Sequence, residues 1–103
     1  MKLTQADKIL LLDMGNPESD FTQIEEATRR TVYEYDGKEI NRGEAITLLG
    51  RRNYLAGIAR SAFHWSAAQI TPEGKYVFFD SSRLFEAGRK DTGTSKRRIK
   101  DRE

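Results

Sequence analysis

The longest stretch with helical spacing of its apolar residues runs from Gly50 to Trp65. On a wheel of 3.6 residues per turn, one arc carries Tyr54, Leu55, Ile58, Ala59 and Ala62, with Phe63 at its edge. The opposite side carries Asn53 and Arg60. Two small residues, Gly57 and Ser61, form a strip on the flank that would let a neighbour approach closely. The pattern predicts a core helix with one solvated face.

Polar capping residues mark three further helix starts. The paired positions, three residues apart, are Thr4 with Asp7, Asp20 with Gln23, and Asn41 with Glu44. The first pair predicts a helix from Gln5 to Met14. The second begins a helix whose inward face includes Phe21 and Ile24. The third begins a short helix that ends near Gly50, where it meets the long helix at a tight bend or continues into it with a kink.

Two stretches rich in β-branched and aromatic residues predict β-hairpins. Thr31 to Tyr35 and Lys38 to Ile40 flank an Asp-Gly turn, and Phe63 to Ile70 and Lys75 to Asp80 flank the turn Thr-Pro-Glu-Gly. In the last strand, Tyr76 and Phe78 share one face while Val77 and Phe79 share the other. Large apolar residues on both faces are typical of a strand buried on both sides, so we expect this strand to be central in its sheet.

These elements predict an α+β fold, with helices packed on a small antiparallel sheet formed by the two hairpins. The predicted order is α-α-β-β-α-α-β-β, followed by a short terminal helical turn that carries Leu84 and Phe85. We expect one globular domain over residues 1–87 and a mobile basic tail over residues 88–103, because that tail has a single aliphatic residue. The predicted core is Leu10, Ile24, Leu49, Leu55, Ile58, Phe63, Val77 and Phe79.

Charge is distributed unevenly along the chain. The 103 residues carry a formal net charge of +2, but seven basic and three acidic residues follow Ala87, so the tail carries +4 and the first 87 residues carry −2. Attraction to nucleic acid or to an acidic surface is therefore expected mainly from the tail, through Lys96, Arg97, Arg98 and Lys100. Because the chain has no cysteine and no apolar run of membrane-spanning length, we expect a cytoplasmic protein that does not enter a membrane.

No group of side chains in the sequence predicts catalysis, a cofactor or a metal site. The one histidine, His64, has no cysteine or second histidine to complete a zinc site, and the glycines are scattered singly. Glu25 and Glu26 precede Arg29 and Arg30 by four residues each, which favours ion pairs on a helix surface over an acid–base pair. We therefore expect a protein that is not an enzyme, in which His64 is partly buried and bonded to backbone.

Tyrosine and arginine residues are the candidates for partner binding, because these types are enriched where binding energy concentrates. Tyr33 and Tyr35 share one face of the first hairpin, where they either contact a partner or a base or cover a helix in the core. Arg51 and Arg52 lie in the first turn of the long helix and oppose its dipole, a cost that solvent tolerates or a bound anion offsets. Arg60 lies on the solvated face of the same helix.

Two runs, LLGRRNYLAGIARSAFHWSA and YVFFDSSRLFE, carry a resemblance to a group of proteins. The chain resembles small uncharacterised accessory proteins encoded on conjugative elements and phages of Gram-positive bacteria, over roughly Thr4 to Glu86. The resemblance implies no active-site residues. It implies a non-enzymatic accessory protein that binds and inhibits or modulates a host protein or ribonucleoprotein complex, in its sharpest form an anti-CRISPR-like inhibitor of host defence. The alternative is a nucleic-acid-binding accessory or regulatory protein that uses the basic tail.

Overall fold

The computed structural model describes residues 2–82, so the predicted terminal turn and the basic tail lie outside the described residues. The helices are α1 (Gln5–Asp13), α2 (Phe21–Arg30), α3 (Arg42–Leu49) and α4 (Arg51–His64), with a 3₁₀-helix (Glu18–Asp20) before α2. The strands are β1 (Val32–Tyr35), β2 (Lys38–Ile40), β3 (Ser66–Ile70) and β4 (Tyr76–Asp80). Within residues 2–82, no helix is long and apolar enough to cross a lipid bilayer.

The four strands form one antiparallel sheet in the order β2-β1-β4-β3. An α+β fold with four α-helices and an antiparallel sheet is therefore confirmed. The order of the elements is confirmed only in part, because the 3₁₀-helix intervenes between α1 and α2. That helix leads directly into α2 and leaves Asp20 in a helical conformation, in which its side chain makes no capping hydrogen bond. Helix α2 begins at Phe21, directly after Asp20 as predicted, but without the expected capping hydrogen bond.

Local signals elsewhere give the expected elements. Thr4 and Asp7 form a reciprocal capping box at the start of α1, and Asn41 and Glu44 form another at the start of α3. Between α3 and α4 the backbone turns at Gly50, whose φ of 85° lies in the left-handed region that glycine adopts without strain. The two helices therefore meet at a bend.

Helix α4 packs against the inner face of the sheet, and the other three helices pack around α4. Its buried side chains include the whole predicted arc, Tyr54, Leu55, Ile58, Ala59 and Ala62. Across from them lie Tyr33, Val77 and Phe79 from the sheet. A Cβ atom on Gly57 would lie 2.4 Å from Phe79 Cζ, so the strip of small residues admits an aromatic ring at close range.

Phe63 and strand β4 are less buried than expected. Phe63 was expected in the core, but it lies at the edge of the buried arc of α4 and is 39% exposed. Strand β4 is an interior strand of the sheet, as expected, but it is buried on one face only. Val77 and Phe79 point toward the helices, whereas Tyr76 and Phe78 point away from them, toward a face that no other element of residues 2–82 covers.

Candidate binding surface

The face of the sheet that points away from the helices is called the outer sheet face below. Strand register assigns to it Val32, Glu34, Glu39, Ser66, Ala68, Ile70, Tyr76, Phe78 and Asp80. Glu34, Phe78 and Ala68 lie opposite one another on three neighbouring strands, because directly paired residues share a face of a sheet.

Large apolar side chains dominate one half of the outer sheet face. Ile70 is 50% exposed, Tyr76 53% and Phe78 51%. The Tyr76 and Phe78 rings are stacked, with centroids 6.1 Å apart and planes inclined by 30°. Large contiguous apolar patches often mark interaction sites, so this cluster is a candidate binding surface.

Trp65 lies next to this face, at the junction of α4 and β3. It caps α4 with a φ of 68°, a left-handed conformation in which glycine is usual and a bulky residue is strained. Its backbone is held on both sides, since its N–H donates to the Ser61 carbonyl at 2.9 Å and its carbonyl accepts from Ser81 N–H at 2.8 Å. The half-exposed ring lies 5.4 Å from the guanidinium carbon of Arg30, within range of a cation–π interaction.

The charged residues of the outer sheet face are all acidic. Glu34 and Glu39 lie directly opposite each other on β1 and β2, and neither forms an ion pair within residues 2–82. Asp80 accepts hydrogen bonds from the backbone N–H and the hydroxyl of Ser82, at 2.9 and 2.6 Å. Strands β1 to β4 place no lysine or arginine at an outward position. The face is thus apolar, with acidic residues along its border.

Arg51, one of the predicted partner-binding residues, joins two helices. Its Nε and Nη2 donate to the two carboxylate oxygens of Asp7 at 2.7 and 2.8 Å. Asp7 is only 1% exposed and also belongs to the capping box of α1. The hydrogen bonds from Arg51 hold the pKa of Asp7 below its usual value. Arg51 therefore neutralises a buried carboxylate.

The other two predicted arginines lie on the exposed side of α4. Arg52 donates to Asp13 at 3.0 Å, so carboxylates of α1 offset the dipole cost of both arginines at the start of α4. Arg60 is exposed, forms no ion pair within residues 2–82, and lines an open groove with Phe63 and His64. His64 occupies the last position of α4 and is exposed, so the expectation of a partly buried histidine is wrong.

The two predicted tyrosines are not on a common surface with these arginines. Tyr33 is buried, and its hydroxyl lies 2.7 Å from the Tyr54 hydroxyl. Burial raises the pKa of Tyr33, so it stays protonated and acts as a core residue, which was the alternative interpretation. Tyr35 is half-buried on the same inner face.

The remaining predicted site residues belong to the basic tail. The predicted nucleic-acid contacts Lys96, Arg97, Arg98 and Lys100 lie outside the described residues. Within residues 2–82, no group of three or more histidine, aspartate or glutamate side chains has the arrangement of a metal site.

Sequence reasoning did not identify the outer sheet face as a candidate surface, although its residues follow a recognisable pattern. The alternation in β4 identifies Tyr76 and Phe78 as neighbours on one face, and the Asp-Gly turn fixes Glu34 opposite Glu39. These residues are exposed because the helices of residues 2–82 cover only the other face of the sheet. No protein-family model, no curated protein and no solved structure matches this chain, so the binding surface is assigned from its geometry.

Proposed function

We propose that the chain is a non-enzymatic protein-binding module whose contact surface is the outer sheet face. The observation that carries the proposal is the half-exposed apolar cluster of Ile70, Tyr76 and Phe78. Trp65, also half-exposed, lies at the other end of β3 from Ile70. An aromatic side chain has about 200 Å² of surface, so covering the exposed half of one ring contributes about 2.5 kcal/mol to binding. Aromatic side chains of this kind are typical of residues that dominate binding energy at interfaces.

A nucleic-acid partner is less well supported. Aromatic residues on an antiparallel sheet also stack on unpaired bases, and such platforms combine the aromatic rings with basic residues that neutralise phosphate. Here the charged residues among the aromatic ones are Glu34, Glu39 and Asp80, which repel phosphate. The basic residues predicted to contact nucleic acid lie outside the described part of the chain.

The partner proposed from the resemblance is a host protein or ribonucleoprotein complex that the chain inhibits or modulates. An anti-CRISPR-like inhibitor of host defence is the sharpest form of this proposal. This part rests on the resemblance alone, whereas the use of the outer sheet face rests on the geometry.

The test is recovery of partners from the natural host with the tagged full-length chain. We expect a protein partner that survives nuclease treatment and that is lost with the double substitution Tyr76→Ser and Phe78→Ser. The matched control is Phe63→Ser, a half-exposed phenylalanine on α4, which should retain the partner. Loss of the partner on nuclease treatment, or its retention by the double variant, would contradict the proposal.

A further inference from the structure

We infer that the outer sheet face binds a cationic segment of a partner protein, in which lysine or arginine residues flank an apolar side chain. This inference rests on the proposed function and specifies the chemistry of the partner. The apolar side chain would cover Tyr76 and Phe78, and the cations would lie against Glu34, Glu39 and Asp80.

The pair of glutamates in the first hairpin favours a cationic occupant. Like charges directly opposite each other on neighbouring strands destabilise a sheet, yet Glu34 and Glu39 occupy such a pair, and neither forms an ion pair within residues 2–82. A cation placed between the two carboxylates would remove the repulsion and add two favourable interactions. Arg51 and Arg52 at the start of α4, by contrast, each pair with a carboxylate of α1.

Acidic, apolar and cationic occupants would affect the energy of these carboxylates differently. An acidic occupant would add charge of the same sign. A purely apolar occupant would remove Glu34, which lies directly opposite Phe78, from water without a compensating hydrogen bond, and this is costly. Only a cationic occupant covers the rings and pairs with the acids together.

The structure already contains one interaction between a cationic side chain, an aromatic ring and a polar acceptor. Arg30 lies over the Trp65 ring while its Nε donates to the Ser81 carbonyl at 2.9 Å. Lysine and arginine side chains can lie along apolar surface with their charged ends at polar groups, and they interact favourably with aromatic faces. The stacked rings of Tyr76 and Phe78, bordered by carboxylates, offer a partner the same combination.

A random twelve-residue peptide display library, selected against the full chain, tests the inference. We expect enriched peptides with a net positive charge and at least one aromatic or aliphatic residue. Their affinity should fall about tenfold or more with Glu34→Gln and Glu39→Gln together, and also with Phe78→Ser. The matched control, Glu18→Gln with Glu26→Gln, changes the net charge equally at exposed positions away from this face and should leave the affinity unchanged.

The outcomes separate the inference from the proposed function. If Phe78→Ser weakens binding but the double glutamine variant does not, the face is a binding surface and the cationic partner is wrong. If neither change matters, or no peptide is enriched, both fail. Dimerisation of the wild-type chain that Phe78→Ser abolishes, measured by sedimentation equilibrium, would identify a second copy as the occupant and overturn the inference. A gain in peptide affinity on replacing Lys96, Arg97, Arg98 and Lys100 by glutamine would identify the chain's own tail instead, with the same consequence.

Discussion

The start of α4 and the outer sheet face both carry exposed charged residues, but only those at the start of α4 form ion pairs within residues 2–82. Arg51 and Arg52 pair with Asp7 and Asp13 of α1. Glu34 and Glu39 lie opposite each other on neighbouring strands, and neither forms an ion pair with the described part of the chain. The contrast extends to the apolar residues, because the rings of the core are enclosed by other rings while those of the outer sheet face lie half exposed.

The difference shows which surface residues serve folding. The sequence pointed to the arginines as partner-binding residues, yet two of them hold α1 against α4. Groups whose partners lie in the same chain are already used, and their removal should affect stability. Groups left without partners at an apolar surface are available to another molecule, and their removal should affect binding.

Neighbouring phenylalanines on β4 give the largest expected difference in stability. Phe79→Ala should lower the free energy of unfolding by about 3 to 5 kcal/mol, because Phe79 packs between Tyr33, Tyr54 and Gly57 in the core. Phe78→Ala should cost less than about 1 kcal/mol, since half of its ring is in water already. Denaturant unfolding of both variants measures the two costs, and equal costs would mean that the outer sheet face is covered within the chain.

The two ion pairs of α1 should also differ in how much they contribute to the free energy of unfolding. Asp7→Asn should lower the free energy of unfolding by about 2 to 3 kcal/mol, because it removes a charge-assisted pair of hydrogen bonds from a buried position. Asp13→Asn is the matched control and should cost less than about 1 kcal/mol, because its pair with Arg52 is exposed. Thermal unfolding compares them; an Asp13 variant as unstable as the Asp7 variant would contradict the assignment.

The carboxylate of Asp7 should make the stability of the chain depend on pH. The pKa of Asp7 is lowered in the folded state, so its contribution to stability is complete above its unfolded pKa of about 4 and is lost as the pH falls toward the folded pKa. Between pH 4 and pH 2 the wild-type chain should therefore lose more stability than Asp7→Asn. If the stabilities of the wild type and of Asp7→Asn fall equally between pH 4 and pH 2, Asp7 is not the group that titrates.

Substitutions of Trp65 distinguish the conformational cost of its positive φ from the contribution of its ring to binding. Trp65→Gly and Trp65→Ala both remove the ring and its contact with Arg30, but only glycine relieves the positive φ. The glycine variant should therefore be more stable than the alanine variant by about 1 kcal/mol, while both should bind the partner more weakly than the wild type. Circular dichroism melts and a binding titration give both values. An alanine variant as stable as the glycine variant would show that the left-handed conformation is not strained.

Glu39→Lys should have the smallest effect on folding, and in the direction opposite to the other substitutions. It converts a repulsive cross-strand pair with Glu34 into an attractive one, which should raise the free energy of unfolding by a few tenths of a kcal/mol. The same change should weaken binding of a cationic partner. A variant that is both less stable and unchanged in binding would mean that Glu39 has a partner within the chain.

Local features of the fold could be predicted from sequence. The capping boxes at Thr4 and Asn41 and the Asp-Gly hairpin turn depend on residues within a few positions of one another, and all three are present in the structure. The buried arc of α4 follows from helical spacing alone.

The remaining features depend on contacts between distant parts of the chain. Arg51 and its partner Asp7 are 44 positions apart, so the sequence does not show that the arginine is used within the chain. The pattern of β4 is the same whether one or both faces are covered, because alternation identifies faces but not what packs on them. The sequence pattern therefore shows neither the pairing of Arg51 with Asp7 nor the exposure of the outer sheet face.

Phe78→Ser and Phe63→Ser, compared for partner affinity at matched stability, test the central claim most directly. Both replace a phenylalanine that is 39–51% exposed, one on the outer sheet face and one on the exposed side of α4. The account predicts that Phe78→Ser weakens binding of the recovered partner by about 30-fold, the effect of losing about 2 kcal/mol at a binding hot spot, and that Phe63→Ser changes it by less than about threefold. If Phe63→Ser abolishes binding while Phe78→Ser leaves it intact, the partner binds along α4 and the outer sheet face is not the binding surface.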